Sequence, residues 1–151
     1  MPEPVNQPQP EPDQSTPEKR GEYLVRMASC ADCHSPQEKG QILPGMDFAG
    51  GFILYEPTGP VASSNITPDP SGISYYDANL FVRVMREGKV GARQLHASMP
   101  WWFFSKMSDD DLKSVFAYLR TLKPVKHRVD NTEPPTRCKL CKANHGFGDR
   151  N

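Results

Sequence analysis

Apolar residues fall at helical spacing in three stretches of the chain. The first opens at Ser15-Thr16-Pro17-Glu18 and runs through Tyr23, Leu24, Met27, Ala28 and Ala31. A hydroxyl residue ahead of a proline and an acid is a helix-start pattern, because the side chain takes up a free backbone N–H and proline tolerates the first turn. The second opens at Ser74-Tyr75-Tyr76-Asp77, places Leu80, Phe81, Val84 and Met85 on one face, and stops before Gly88. The third opens at Ser108-Asp109-Asp110-Asp111, whose acids suit the positive end of a helix dipole. Its apolar stripe is Leu112, Val115, Phe116, Leu119 and Leu122, and it is predicted to end at Lys123-Pro124. Residues 35–72 are rich in Gly and Pro, with little alternation to predict strands. A loop of that length is unusual in a compact domain unless something other than chain packs against it.

The distribution of proline and charge divides the 151 residues into three parts. Residues 1–17 hold Pro2, Pro4, Pro8, Pro10, Pro12 and Pro17, with Val5 as the one large apolar side chain, and are predicted to be a disordered, partly polyproline II arm. Residues 18–123 carry nearly all the aromatics and form one globular domain. Residues 124–151 are a mildly basic extension ending in a Cys-rich patch. The 18 basic and 18 acidic residues cancel, which gives no basic face of the density that nucleic acid requires. The longest apolar cluster, Met99 to Phe104, contains a proline and is far short of the roughly 20 residues of a membrane span.

The chemistry lies in two Cys-x-x-Cys pairs. Cys30-Ala31-Asp32-Cys33-His34 follows the first predicted helix. Cys-x-x-Cys-His is the attachment signal of c-type haem: each thiol adds to a haem vinyl group, and the following imidazole ligates iron. A thioredoxin-like dithiol would open a helix after a strand, whereas here the helix comes first. A zinc site needs a fourth ligand that is not present locally. The distal ligand must come from far along the chain, and Met99, followed by Pro100, Trp101 and Trp102, is the residue placed to supply it. Met27, Met85 and Met107 lie on or beside helices as core filler, Met46 precedes the second helix, and His96 is the rival to Met99. Trp101 and Trp102 would wall a haem edge.

From Gly21 to Pro124 the chain resembles a class I cytochrome c domain, similar to the cytochrome c subunits of periplasmic quinoprotein and flavoprotein dehydrogenases. The residues that carry the resemblance are Arg20-Gly21-Glu22-Tyr23-Leu24, Cys30-Ala31-Asp32-Cys33-His34 and Phe48-Ala49-Gly50-Gly51. They continue with Ser64-Asn65-Ile66-Thr67-Pro68-Asp69, Phe81-Val82-Arg83, Arg86-Glu87-Gly88, Met99-Pro100 and Ala117-Tyr118-Leu119-Arg120. The resemblance implies an all-α fold, with three main helices and long loops around one covalently bound haem c. It makes His34 and Met99 the iron ligands and places Asn65 and Thr67 as donors near the haem propionates. It also makes the Pro44 carbonyl an acceptor for the His34 ring N–H, and lets the last helix cross the first at Gly21, around Tyr118.

A His/Met pair favours Fe(II) and leaves no open iron position for a substrate, which points to an electron carrier or electron-transfer subunit and not an enzyme. The expected partners are a redox donor and acceptor, such as a dehydrogenase or a terminal oxidase, docking near Trp101 and Trp102. Haem is attached after export, so the expected location is a bacterial periplasm or cell surface. Met1-Pro2-Glu3 has no basic start or apolar core of a signal peptide, which predicts a mature form or the loss of an upstream anchor. A haem-based gas- or redox-responsive module, in which Met99 dissociates, is the alternative reading. In the tail, Cys138-Lys139-Leu140-Cys141-Lys142 has lysine where a haem-binding histidine would stand. A disulfide is the plain expectation in an oxidising compartment. A metal site using Cys138, Cys141 and His145, with His127, comes next, and a second haem with Lys142 as ligand comes last.

Overall fold

The computed structural model describes residues 4–151. Residues 4–16 are exposed and carry neither helix nor strand; Met1 to Glu3 of the predicted arm lie outside the described residues. Helix α1 spans Pro17–Met27, with the Thr16 side chain accepting from the Lys19 N–H and Pro17 in its first turn. Such a cap contributes about 1 kcal/mol. It ends earlier than the apolar spacing predicted, because Ser29 turns into the left-handed region (φ 53°) before a short helix α2, Cys30–His34.

Four small antiparallel pairs, which the sequence did not predict, lie in the loops. β1 (Gln37–Glu38) pairs with β2 (Gln41–Ile42), and β3 (Ile53–Glu56) pairs with β4 (Gly59–Ala62), so the stretch from Ser35 to Gly72 is not wholly irregular. Helix α3, Ala78–Glu87, is capped by the Asp77 side chain on Leu80 N–H and closed by Gly88 at φ 66°. A third pair, β5 (Lys89–Val90) with β6 (Arg93–Gln94), leads to the single turn α4, Trp101–Phe104. Helix α5, Asp109–Leu119, is capped by Ser108 and carries three aspartates in its first turn. There are thus five helices among the described residues rather than three, the two extra ones being four or five residues long.

The core forms where α1, α3 and α5 meet. Val25 from α1, Phe81, Val84 and Met85 from α3, and Leu112, Val115, Phe116 and Leu119 from α5 are all buried there, with Phe48, Ile73 and Tyr76 from the long loop. Phe81 stacks on Phe116 at 5.3 Å between ring centroids. The first and last helices cross at Gly21: a Cβ at that position would lie 1.9 Å from the Ser114 carbonyl oxygen and 2.8 Å from Tyr118 Cβ. Arg20 closes one end of the crossing with an ion pair to Asp111 at 2.6 Å.

The extension is folded back onto the domain. Strand β7 (Pro135–Arg137) pairs with β8 (Asn144–Gly146), and a 3₁₀ turn, Gly148–Arg150, packs beside it. A second small core of Met46, Ala49, Cys138 and Cys141 lies between this hairpin and the long loop. Asn131 binds the backbone of Ala62 twice, through Nδ2 to the carbonyl and Oδ1 from the N–H, each at 2.9 Å.

Candidate functional site

The first Cys pair sits on α2, one turn after the core-forming helix. Both thiols are free; Cys30 is half-buried and packs against the main core, whereas Cys33 is exposed. Burial pushes the Cys30 thiol up to about 11. Packing holds α2 against the long loop, and the His34 carbonyl accepts from the Gly50 N–H at 2.7 Å. Gly50 (φ 73°) has to be glycine, because a Cβ there would lie 2.4 Å from the backbone of Ser64 and Asn65.

The His34 ring meets that same loop. Its Nδ1 lies 2.7 Å from the Ser64 carbonyl oxygen, which fixes Nδ1 as the N–H donor and leaves the Nε2 lone pair free to ligate. Burial lowers the imidazole pKa, against the raising effect of the Ser64 hydrogen bond, and so favours the neutral ring that binds metal. The carbonyl on the His34 ring in this structure is that of Ser64, where the resemblance implies that of Pro44. Pro44 is exposed in the turn after β2, and the rule that an imidazole ligand needs an acceptor on its far nitrogen is met from the opposite side of the loop.

Met99 lies in the turn before α4, half-buried against the main core. Its N–H donates to the His96 carbonyl and its own carbonyl accepts from Trp101 N–H at 2.7 Å, so the backbone around it is fixed. The rival His96 has its Nδ1 on Ser98 Oγ at 2.9 Å, and Ser98 in turn donates to Glu56. Trp101 lies against the end of α3: a Cβ on Gly88 would be 2.2 Å from its indole. Trp102 and Phe103 are exposed beside it.

Asn65 and Thr67, expected near the haem propionates, are hydrogen-bonded to each other and to the extension. Both are buried. The Asn65 amide donates to the carbonyls of Val125 (2.8 Å) and His127 (3.0 Å) and to Ser71 Oγ, and its Oδ1 accepts from both the N–H and the hydroxyl of Thr67. Thr67 Oγ1 also accepts from Val125 N–H at 3.2 Å. With its one hydroxyl proton on Asn65, Thr67 has nothing left to donate, and both amide protons of Asn65 are committed to the extension.

The model of the family described as Cytochrome c matches residues 18–123, the domain that holds the Cys30–His34 segment and Met99. The chain belongs to the cytochrome c family. Among its relatives are the cytochrome c subunit of the alcohol dehydrogenase (quinone) of Gluconobacter oxydans (strain 621H) and the fructose dehydrogenase cytochrome subunit of Gluconobacter japonicus. The first is 39% identical over 111 residues, 71% of this chain and 22% of the relative. The second is 37% identical over 119 residues, 77% and 24%. The gluconate 2-dehydrogenase cytochrome c subunit of Pantoea cypripedii is 35% identical over 120 residues, 78% and 26%. This cytochrome spans about a quarter of the length of the curated relatives it matches.

Membership implies a covalently held haem c, and the donor set of the cytochrome fits it. Two free thiols flank one turn of α2, and the adjoining imidazole has its far nitrogen occupied by a carbonyl and its near nitrogen free. Met99, whose thioether is a soft neutral donor, sits in a hydrogen-bonded turn at the margin of the core.

The second Cys pair is arranged differently from the expected disulfide. Cys138 and Cys141 are both free and both buried, and His127 and His145 lie with them. The four ligand atoms all fall within 4.8 Å of one another. Lys142, the ligand of the second-haem reading, is exposed, with its ammonium on the Lys139 carbonyl. Spacing alone placed Cys138, Cys141 and His145 together; His127, eleven residues before Cys138, had only its residue type to mark it.

Proposed function

We propose that this cytochrome passes single electrons between redox proteins by means of one haem c, held through Cys30 and Cys33 and ligated by His34 and Met99. Its place is the bacterial periplasm or cell surface, as a carrier or electron-transfer subunit serving a dehydrogenase. The observation that carries the reading is the Cys30–His34 segment with the His34 ring held by Ser64, because it prepares two thiols and one oriented imidazole for the same group. When bound, haem c supplies a one-electron Fe(II)/Fe(III) couple. The chain's part is to hold and shield it. His34 is kept neutral and in one tautomer, and Met99 is fixed by backbone hydrogen bonds on both sides. Fixed ligands of this kind limit rearrangement as the charge changes.

The names of the relatives support a dehydrogenase as partner, since each is the cytochrome subunit of one. The exposed Trp102 and Phe103, 45% and 75% accessible and next to the Met99 turn, offer that partner an apolar contact. Among the described residues no helix is long and apolar enough to cross a membrane.

Met99→Ala tests the reading. The ferric wild type is expected to show the weak long-wavelength band of Met–iron ligation, and the variant to lose it, to fall in potential and to bind carbon monoxide readily. Wild-type protein that binds carbon monoxide at neutral pH would instead favour a gas-responsive module.

A further inference from the structure

The extension carries a second set of ligands that electron transfer does not use. We propose that His127, Cys138, Cys141 and His145 bind one zinc ion in a closed tetrahedral site that fastens the extension to the haem domain.

Two of the separations between donor atoms match edges of a tetrahedron around zinc, and all four atoms lie within 4.8 Å of one another. His127 Nε2 and His145 Nε2 are 3.2 Å apart, and Cys138 Sγ is 3.5 Å from His127 Nε2. Zinc at its usual distances from nitrogen and sulfur sets these edges at roughly 3.3 and 3.6 Å. The tautomers agree. His127 Nδ1 faces the Ala49 carbonyl at 2.7 Å and His145 Nδ1 faces the Gly146 carbonyl at 2.9 Å, so both rings carry their proton there. Two bare Nε2 lone pairs then point at each other in a buried space, where they repel. A cation between them removes the conflict, and an outer carbonyl on each ring is the usual support of a metal-bound histidine.

Other features build the same site. The Cys141 N–H points at Cys138 Sγ at 3.5 Å, which holds the two cysteines in one tight turn. The turn after the pair is closed by Lys142, at φ 65°, whose N–H donates to the Cys138 carbonyl. Gly51, at φ 88°, leaves room for the ligands: a Cβ there would lie 2.7 Å from His127 Cε1 and 3.3 Å from Cys141 Sγ. All four ligands are 3% exposed or less.

The donor chemistry selects the ion. Two sulfurs and two imidazoles suit zinc and exclude the oxygen-seeking magnesium and calcium. Zn²⁺ with two thiolates and two neutral imidazoles is uncharged overall, so the cluster can be buried without an unpaired charge. Four protein donors leave no position for water or substrate, which makes the site structural rather than catalytic. His127 comes from the strap leaving the haem domain and the other three from the β7–β8 hairpin, so the ion would tie the two together.

The test uses the full-length holoprotein. Elemental analysis is expected to find one zinc for each haem iron, and zinc-edge X-ray absorption to find two sulfurs at about 2.3 Å and two nitrogens at about 2.0 Å. Cys138→Ser with Cys141→Ser should lose the zinc, keep the haem spectrum, and become open to proteolysis between residues 124 and 151. If that variant does not accumulate, the wild-type metal content and thiol state still decide the matter. A metal-free wild type with Cys138 linked to Cys141, seen as the mass deficit of two hydrogens, would overturn the proposal. So would zinc retained by the double variant, or a different metal in the site.

Discussion

Replacing Cys30 and Cys33 together by alanine is expected to leave a chain that neither retains haem nor unfolds cooperatively. The three principal helices have 11, 10 and 11 residues, too short to persist alone in water. Residues expected around the haem are only half-buried: Cys30 and Met99 pack on the margin of the core, and Trp101 lies against the end of α3. Covalent haem would supply the missing apolar bulk in a domain of about a hundred residues, where the core is otherwise marginal. Far-UV circular dichroism with denaturant titration, alongside a pyridine haemochrome assay, checks both halves. A stable apo form with a sharp transition would contradict a haem-centred fold and leave the two cysteines without the role assigned to them.

The second large effect is expected from Gly21→Val. The new Cβ would meet the Ser114 carbonyl at 1.9 Å and the Tyr118 Cβ at 2.8 Å. The first contact is with helix backbone, which cannot rotate away as a side chain would. Relief requires α1 and α5 to move apart, opening the packing around Val25, Leu112 and Val115. A loss of about 3 kcal/mol or more is expected for overpacking at a backbone contact, with a fall in melting temperature of roughly 10 °C. Met27→Ala on the same helix, at a side chain 64% exposed, serves as the control and should change little. Equal melting temperatures for the two variants would show that the helices separate without penalty.

The parts of this fold that were legible in the sequence are those decided locally. Thr16, Asp77 and Ser108 each cap a helix through their own side chain; Ser108 opens its predicted segment, whereas Thr16 and Asp77 lie one and three residues past the first residue of theirs. The end of α5 was not legible. It stops at Leu119 although the apolar stripe continues to Leu122, because the chain must turn there to bring Val125 to Thr67. Nor were β3 and β4, where Pro57, Gly59 and Pro60 hide the alternation of a hairpin only four residues a side. In the site, the Cys30–His34 motif was plain because its spacing is its chemistry. Which loop carbonyl faces the His34 ring, thirty residues away, depends on tertiary packing and has no local signal. For Asn65 and Thr67 the sequence shows only two polar residues within the Ser64–Asp69 motif. Their partners are each other and a segment sixty residues further on, which no local pattern announces.

The crossing of α1 with α5 also governs when the domain can assemble. Arg20 and Asp111 are 91 positions apart, and it is α5 that packs against Gly21. Closing so long a loop must precede the contacts that reward it, so the core forms late. Until then α1 has no permanent partner, and the cysteines just beyond it remain on an open, accessible chain. On the proposed periplasmic reading, the thiols are thus accessible to haem before the last helix is present. A fragment ending before Ser108 should stay protease-sensitive and still accept haem at Cys30 and Cys33; a compact, protease-resistant fragment would mean that closure does not wait for the last helix.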